Sequence, residues 1–237
     1  GLMTGLPEFD AGMFPEYLSD YTMSGQMLKG VNVGYDVGFA KVGVTYGNTE
    51  YVSGYDDVTT YKSYSARVAL KPIANQNIGF VYYGYSPARK LLDKNDFFKS
   101  EDLSLPSFRN PVHIISTVYT GKISDYVQLD GEFAFSNEQG QSYEAASQVS
   151  FNEKAAYNIH LTGNIPNTPL SIDAAYEHAG KSFENSTLPV LMSGTQSVVI
   201  NGSGALFHSR LAFSVNYNHL LQNSLLTTGH NTQWGFD

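Results

Sequence analysis

Residues 126–136 read YVQLDGEFAFS. Val127, Leu129, Gly131, Phe133 and Phe135 alternate with Gln128, Asp130, Glu132, Ala134 and Ser136. A period of two places alternate side chains on opposite faces of a β-strand, one face in an apolar medium and the other in a polar one. The apolar medium is either a protein core or lipid. The rest of the chain has to decide between them.

The same alternation recurs along most of the 237 residues. Strands are expected over 28–36, 39–47, 61–71, 76–86, 112–122, 126–136, 154–163, 170–179 and 206–218, with one more at NTQWGF near the end, about ten in all. The segment 76–86 is apolar on both faces, so its orientation stays open. Short connections (36–38, 72–75, 123–125, 164–169) alternate with long ones (48–60, 87–111, 137–153, 180–205). An up-and-down meander with tight turns on one rim and elaborated loops on the other has this pattern, as transmembrane β-barrels do. Greek-key sandwiches have no reason to segregate loop length by parity. The expected strands also run to about ten residues, against a usual five or six in soluble sheets.

Composition points the same way. Charged residues make up 15% of the chain, where soluble domains average about 25%. There are 17 Tyr and 22 Gly but a single Trp. The formal charge of −8 argues against nucleic acid, since little would neutralise phosphates. No apolar run is long enough for a transmembrane helix. Cysteine is absent, which removes disulfides and Cys-based metal sites.

Tyr35, Tyr46, Tyr64, Tyr119, Tyr157, Tyr176 and Tyr217 fall on the apolar faces near strand ends. Such rings suit an aromatic girdle at the lipid headgroup levels; Tyr is also simply a favoured strand residue. On the opposite faces, Lys41, Arg67, Asp130, Glu132, Asp173 and Arg210 are the expected lumen-lining charges. In a soluble sandwich the same residues would be a solvated outer face.

LSIDAAYEHAGKSFENSTLPVLMSG (170–194), followed by ALFHSRLAFSVNYNHLLQNS (205–224), resembles the body of outer-membrane β-barrel proteins of the Bacteroidota type. The likeness covers about residues 154–225 and carries no catalytic signature. It implies a bacterial outer-membrane location more than an activity. Bacterial barrels commonly end on an aromatic residue, whereas Asp237 follows Phe236 here. The first clear connection, 36–38, is short where a complete barrel would have a long external loop. Residues 1–27 are therefore expected to be a plug, a linker or an extra strand around YLSDYTMSG, ahead of barrel strands in 28–237. A segment of a larger barrel is the expectation, also because residues 1–17 lack a signal peptide's basic and apolar regions.

Signals for chemistry are weak. The six histidines have no HxH or HExxH spacing, so neither a metal site nor a cofactor is expected. Asp93, Asn95 and Asp96 resemble a calcium loop, but Phe97, Phe98 and Ser104 stand where its ligands and Gly belong. A short amphipathic helix with Leu91, Leu92, Phe97 and Phe98 is the more economical reading. No GxSxG elbow exists, and Asp173, Glu177 and His178 form only a weak acid–base trio. The expected protein is an all-β, antiparallel up-and-down transmembrane barrel without catalytic residues. It would be a porin-like channel or the barrel subunit of a surface transport or secretion assembly. Its partners would be the bilayer and other surface proteins docking on loops 87–111 and 180–205. The contrasting expectation is a soluble, secreted all-β module binding glycans through exposed Tyr.

Overall fold

The structure is a computed structural model. It describes residues 7–53, 57–87, 111–138, 150–165, 168–183, 185, 194–206, 211–223 and 228–236. Among these, twelve strands form one antiparallel sheet in which spatial order equals sequence order. The strands are β1 (Pro7–Tyr17), β2 (Ser24–Asp36), β3 (Ala40–Ser53), β4 (Asp57–Ile73), β5 (Gln76–Pro87) and β6 (Val112–Ser124). They continue as β7 (Val127–Glu138), β8 (Ala155–Asn164), β9 (Leu170–Ala179), β10 (Thr195–Leu206), β11 (Leu211–Asn223) and β12 (Thr228–Phe236). The described residues contain no α-helix, only a 3-10 turn at Phe151–Lys154 before β8. The sheet is not closed: β1 pairs only with β2, and β12 only with β11.

The strand count corrects the sequence expectation of about ten. β1 occupies part of residues 1–27, where the alternation is weak because Pro7, Gly12 and Pro15 interrupt it. β10 lies inside the expected excursion 180–205; its run of small residues, Asn201 to Ala205, gave no apolar period. Residues 48–60 are not a long connection, because β3 continues to Ser53 and β4 begins at Asp57 in register with it. The expected helix and calcium loop at 91–104 lie outside the described residues, as do Arg210 and most of 137–153.

Register fixes which residues share a face. Phe9, Val33, Val44, Ala66, Tyr82, Ile115 and Phe135 are successive cross-strand neighbours from β1 to β7. Their neighbours one position along, Asp10, Asn32, Thr45, Ser65, Tyr83, Ile114 and Ser136, form the parallel row on the other face. The first row is solvent-facing and apolar: Phe9 is 67% exposed and Val44 57%. The second is largely buried although much of it is polar, with Asn32, Thr45, Ser65 and Ser136 all shielded. β5 is now oriented: Val81, Tyr83 and Tyr85 are buried, while Phe80 and Tyr82 face out.

The sheet therefore curls with its polar face inward. The proof of curvature is a contact between distant strands. Arg67 on β4 reaches Glu16 on β1, and the turn that follows β1 reaches both β7 and β9. An apolar core sits inside one end of the curl, where Tyr21, Met23 and Phe183 pack among Leu28, Tyr61, Tyr83, Tyr85, Val112 and Ile114. Edge-on ring contacts pin it, with Tyr61 against Tyr85 at 5.5 Å and Tyr21 against Phe183 at 6.0 Å. Burying each such side chain contributes roughly 1.5–3 kcal/mol.

Candidate functional site: the occupied concave face

Residues 18–23 join β1 to β2, and rather than projecting past the rim they fold back across the concave face. Leu18, Tyr21 and Met23 turn into the apolar core, and the buried backbone of the segment needs bonding partners of its own. Leu18 N–H donates to the Met23 carbonyl at 2.7 Å, closing the strap, and the Ser19 and Thr22 hydroxyls bond at 2.5 Å. Tyr21, Thr22 and Met23 are almost wholly buried. This six-residue turn is a plug-like element within residues 1–27, and β1 is an extra strand ahead of it.

Glu132 of β7 is the anchor. Its carboxylate accepts the Asp20 backbone N–H at 2.9 Å, the Tyr21 N–H at 3.4 Å and the Ser116 hydroxyl at 2.5 Å. Its own backbone N–H donates to the Asn158 side chain, whose amide in turn donates to Asp20. Glu132 is 5% exposed, and a buried carboxylate is tolerable only when donors surround it in this way. Two further ties hold the strap, and a third holds Glu16 and Tyr17 at its foot. Tyr21 donates its hydroxyl to Glu177 on β9 at 3.3 Å. Asn185 donates to the carbonyls of Tyr21 and Thr22 at 2.8 and 2.6 Å. Arg67 donates to Glu16 at 2.8 Å and to the Tyr17 carbonyl at 3.5 Å. Burial, followed by the neighbouring Glu177 and Glu132 carboxylates, pushes the Tyr21 hydroxyl well above the ordinary tyrosine range.

The sequence singled out Lys41, Arg67, Asp130, Glu132 and Asp173 as lumen candidates, and all five lie on the concave face by register. They do not act alike. Lys41 pairs with Glu8 at the exposed end of β1. Glu132 holds the strap and Arg67 its foot. Asp173 accepts from His160 at 2.8 Å and from Asn201 at 3.3 Å, and Asn201 in turn accepts from Asn216. Gln128 donates to Asp130 at 2.8 Å. Near this second cluster, towards the tight turns, a cavity of about 400 Å³ opens between Gln128, Thr162, Ser171, Asp173, Asn201 and Ser203.

The suggested trio of Asp173, Glu177 and His178 does not converge. Asp173 and Glu177 point inward to different partners, whereas His178 packs at a tilt against Tyr157, ring centres 4.8 Å apart, and contacts Gln196. The described residues contain no group of three or more His, Asp or Glu that could hold a metal ion. Sequence reasoning missed Glu16, Asp20, Tyr21, Ser116 and Asn185. The one signal, and only for Asp20 and Tyr21, was YLSDYTMSG, a polar turn sequence that interrupts the strand pattern ahead of β2.

The seven tyrosines all fall on the convex face by register. Tyr64 and Tyr82 both meet the ring nitrogen of His113, at 3.3 and 2.8 Å. Tyr157 packs beside Tyr176 and Phe133, and Phe151 stacks on Phe135 at 4.9 Å. No protein-family model matches the chain, and neither a curated protein nor a solved structure matches it significantly.

Proposed function

We propose that this chain forms wall of a transmembrane β-barrel in a bacterial outer membrane, with a lumen occluded by its own β1–β2 strap. It would serve as a channel or as the barrel subunit of a surface transport or secretion assembly. One observation carries the reading: the convex face is a continuous apolar surface, while polar side chains are sequestered on the concave one. Val31, Val33, Val42, Val44, Val68, Phe80, Ile115, Phe133, Ile159, Ile172 and Ile200 are all exposed. Monomeric soluble proteins rarely leave so large an apolar patch in water. A secreted glycan-binding module would instead bury this face against a second layer, and among the described residues no second layer covers it.

The aromatic positions support the same orientation. Tyr46, Tyr176 and Tyr217 stand six residues, Tyr157 seven and Tyr64 nine from the tight-turn ends of their strands, or ~15–22 Å of height at the tilt usual for membrane barrels. Tyr35 and Tyr119 lie closer to the tight turns. Aliphatic side chains fill the interval, which fits an apolar band of about 25 Å. Lipid forbids an open sheet edge, because its unpaired N–H and C=O groups have no water to bond. In this reading further strands continue the wall at β1 and β12.

Fractionation of the source cells tests the proposal. The protein should stay with the outer membrane through a carbonate wash and come away only in detergent. Recovery in the wash would assign the convex face to a protein partner instead of lipid.

A further inference from the structure

We infer that residues 18–23 are a gate, latched across the lumen by Glu132, whose release opens an acid-lined path that prefers cations. The inference rests on the barrel reading above and deepens it by naming what opens the lumen and what would pass.

The strap has the features of a separable element. It is bracketed by two irregularities: the β1–β2 register shifts between Glu16 and Tyr17, and Gly25 at the start of β2 has φ +75°. A bulge and a left-handed glycine are where a chain bends without disturbing the ladder beyond. Between them the strap makes no ladder bonds to β2; it is held by side-chain bonds with Glu132, Asn158, Asn185 and Glu177 and by the packing of Tyr21 and Met23 in the apolar core. Movement about these hinges would therefore leave the twelve-strand register untouched.

The latch also sets selectivity. With the strap docked, the Glu132 carboxylate is neutralised in effect by two backbone N–H groups and a hydroxyl. With the strap away, those two N–H groups leave and the carboxylate faces the path on the same concave face as Glu177 and Asp130, with Arg67 on that face of β4. Clefts lined by one sign of charge concentrate ions of the other. Opening by loss of Asn185 should thus give stronger cation preference than opening by loss of Glu132 itself.

The chain has no cysteine, so Thr22→Cys introduces a unique thiol at a position that is 0% exposed. The protein, extracted from its membrane, would be reconstituted in phosphatidylethanolamine–phosphatidylglycerol bilayers. Two readouts follow: labelling of Cys at 22 by a charged maleimide, and single-channel current with reversal potential in a KCl gradient. The parent should label slowly and conduct little. Glu132→Ala and Asn185→Ala, each with the heat-modifiable gel mobility of a folded barrel, should raise labelling at least about tenfold, since each loses two hydrogen bonds to the strap. Both should conduct, with Asn185→Ala the more cation-selective. Unchanged labelling and current in two folded variants would overturn the gate. Should Glu132→Ala not fold, Glu132→Gln and Asn185→Ala carry the test. If the parent does not enter bilayers while labelling still rises in the variants, the strap is a releasable element and the membrane reading fails.

Discussion

The backbone N–H of Asp20 donates to the carboxylate of Glu132 at 2.9 Å although 112 residues separate them in the chain. This bond ties the first connection of the sheet to its seventh strand, so the concave face cannot flatten while it persists. Glu132→Ala would strand the Asp20 and Tyr21 N–H groups and the Ser116 hydroxyl together. The loss should be about 3 kcal/mol, since charged hydrogen bonds are each worth about 1.5–3 and their partners here are buried. Glu132→Gln, which keeps one acceptor oxygen, should lose less. Denaturant titration of the detergent-solubilised protein would rank the three.

Arginine placed on the convex face separates lipid from water as its medium. On one face of β3, Val44 lies between Tyr46 and the tight turn, inside the proposed apolar band, and Asn48 lies beyond Tyr46, outside it. In a bilayer, Val44→Arg should cost about 2–4 kcal/mol and Asn48→Arg about 1 or less, because the penalty falls towards the interface. In water both exposed substitutions should fall within about 0.5 kcal/mol of the parent. Folding into lipid vesicles measured for the two variants decides between these. Equal values would count against membrane burial.

Much of this architecture was legible because a period of two survives wherever one face meets an apolar medium and the other does not. β7, β8 and β9 announced themselves for that reason, and Arg67, Glu132 and Asp173 could be placed together on the polar face from parity alone. β10 was illegible because its concave positions and its tight-turn end are both small and polar, leaving nothing to alternate. The polar stretch 48–60 looked like a loop because strands that pass the apolar zone no longer need apolar side chains, yet the β3–β4 ladder continues. The strap was beyond sequence reasoning altogether. Its docking depends on which strand a turn leans against, and Asp20 carries no mark of Glu132.

Gly84 illustrates a contact that pattern alone cannot supply. It is the cross-strand partner of Tyr64, and a side chain added there would run into the Tyr64 ring. The ring lies over bare backbone, an arrangement that shields the strand where no side chain packs. Gly84→Val should expel the ring, break the Tyr64–His113 contact and cost about 1–3 kcal/mol as overpacking. Tyr64→Ala should cost a similar amount by uncovering Gly84. The double variant should cost less than the sum, because one ring is lost in both. Full additivity in unfolding measurements would show the two residues to be energetically independent.

Alkaline pH should loosen the strap through Tyr21. Its hydroxyl is held neutral by burial and by the Glu177 and Glu132 carboxylates, so its pKa in the docked state is raised. An undocked tyrosine ionises near pH 10. Below that value both states carry the proton and docking is independent of this group. Above it the undocked state releases a proton that the docked state retains, so docking weakens as pH rises towards the docked pKa. Labelling at Thr22→Cys, normalised to a free thiol, should therefore accelerate above about pH 10. Tyr21→Phe removes the titrating proton while keeping the ring against Phe183. The acceleration should vanish in that variant, and its persistence would trace the alkaline release to a different group.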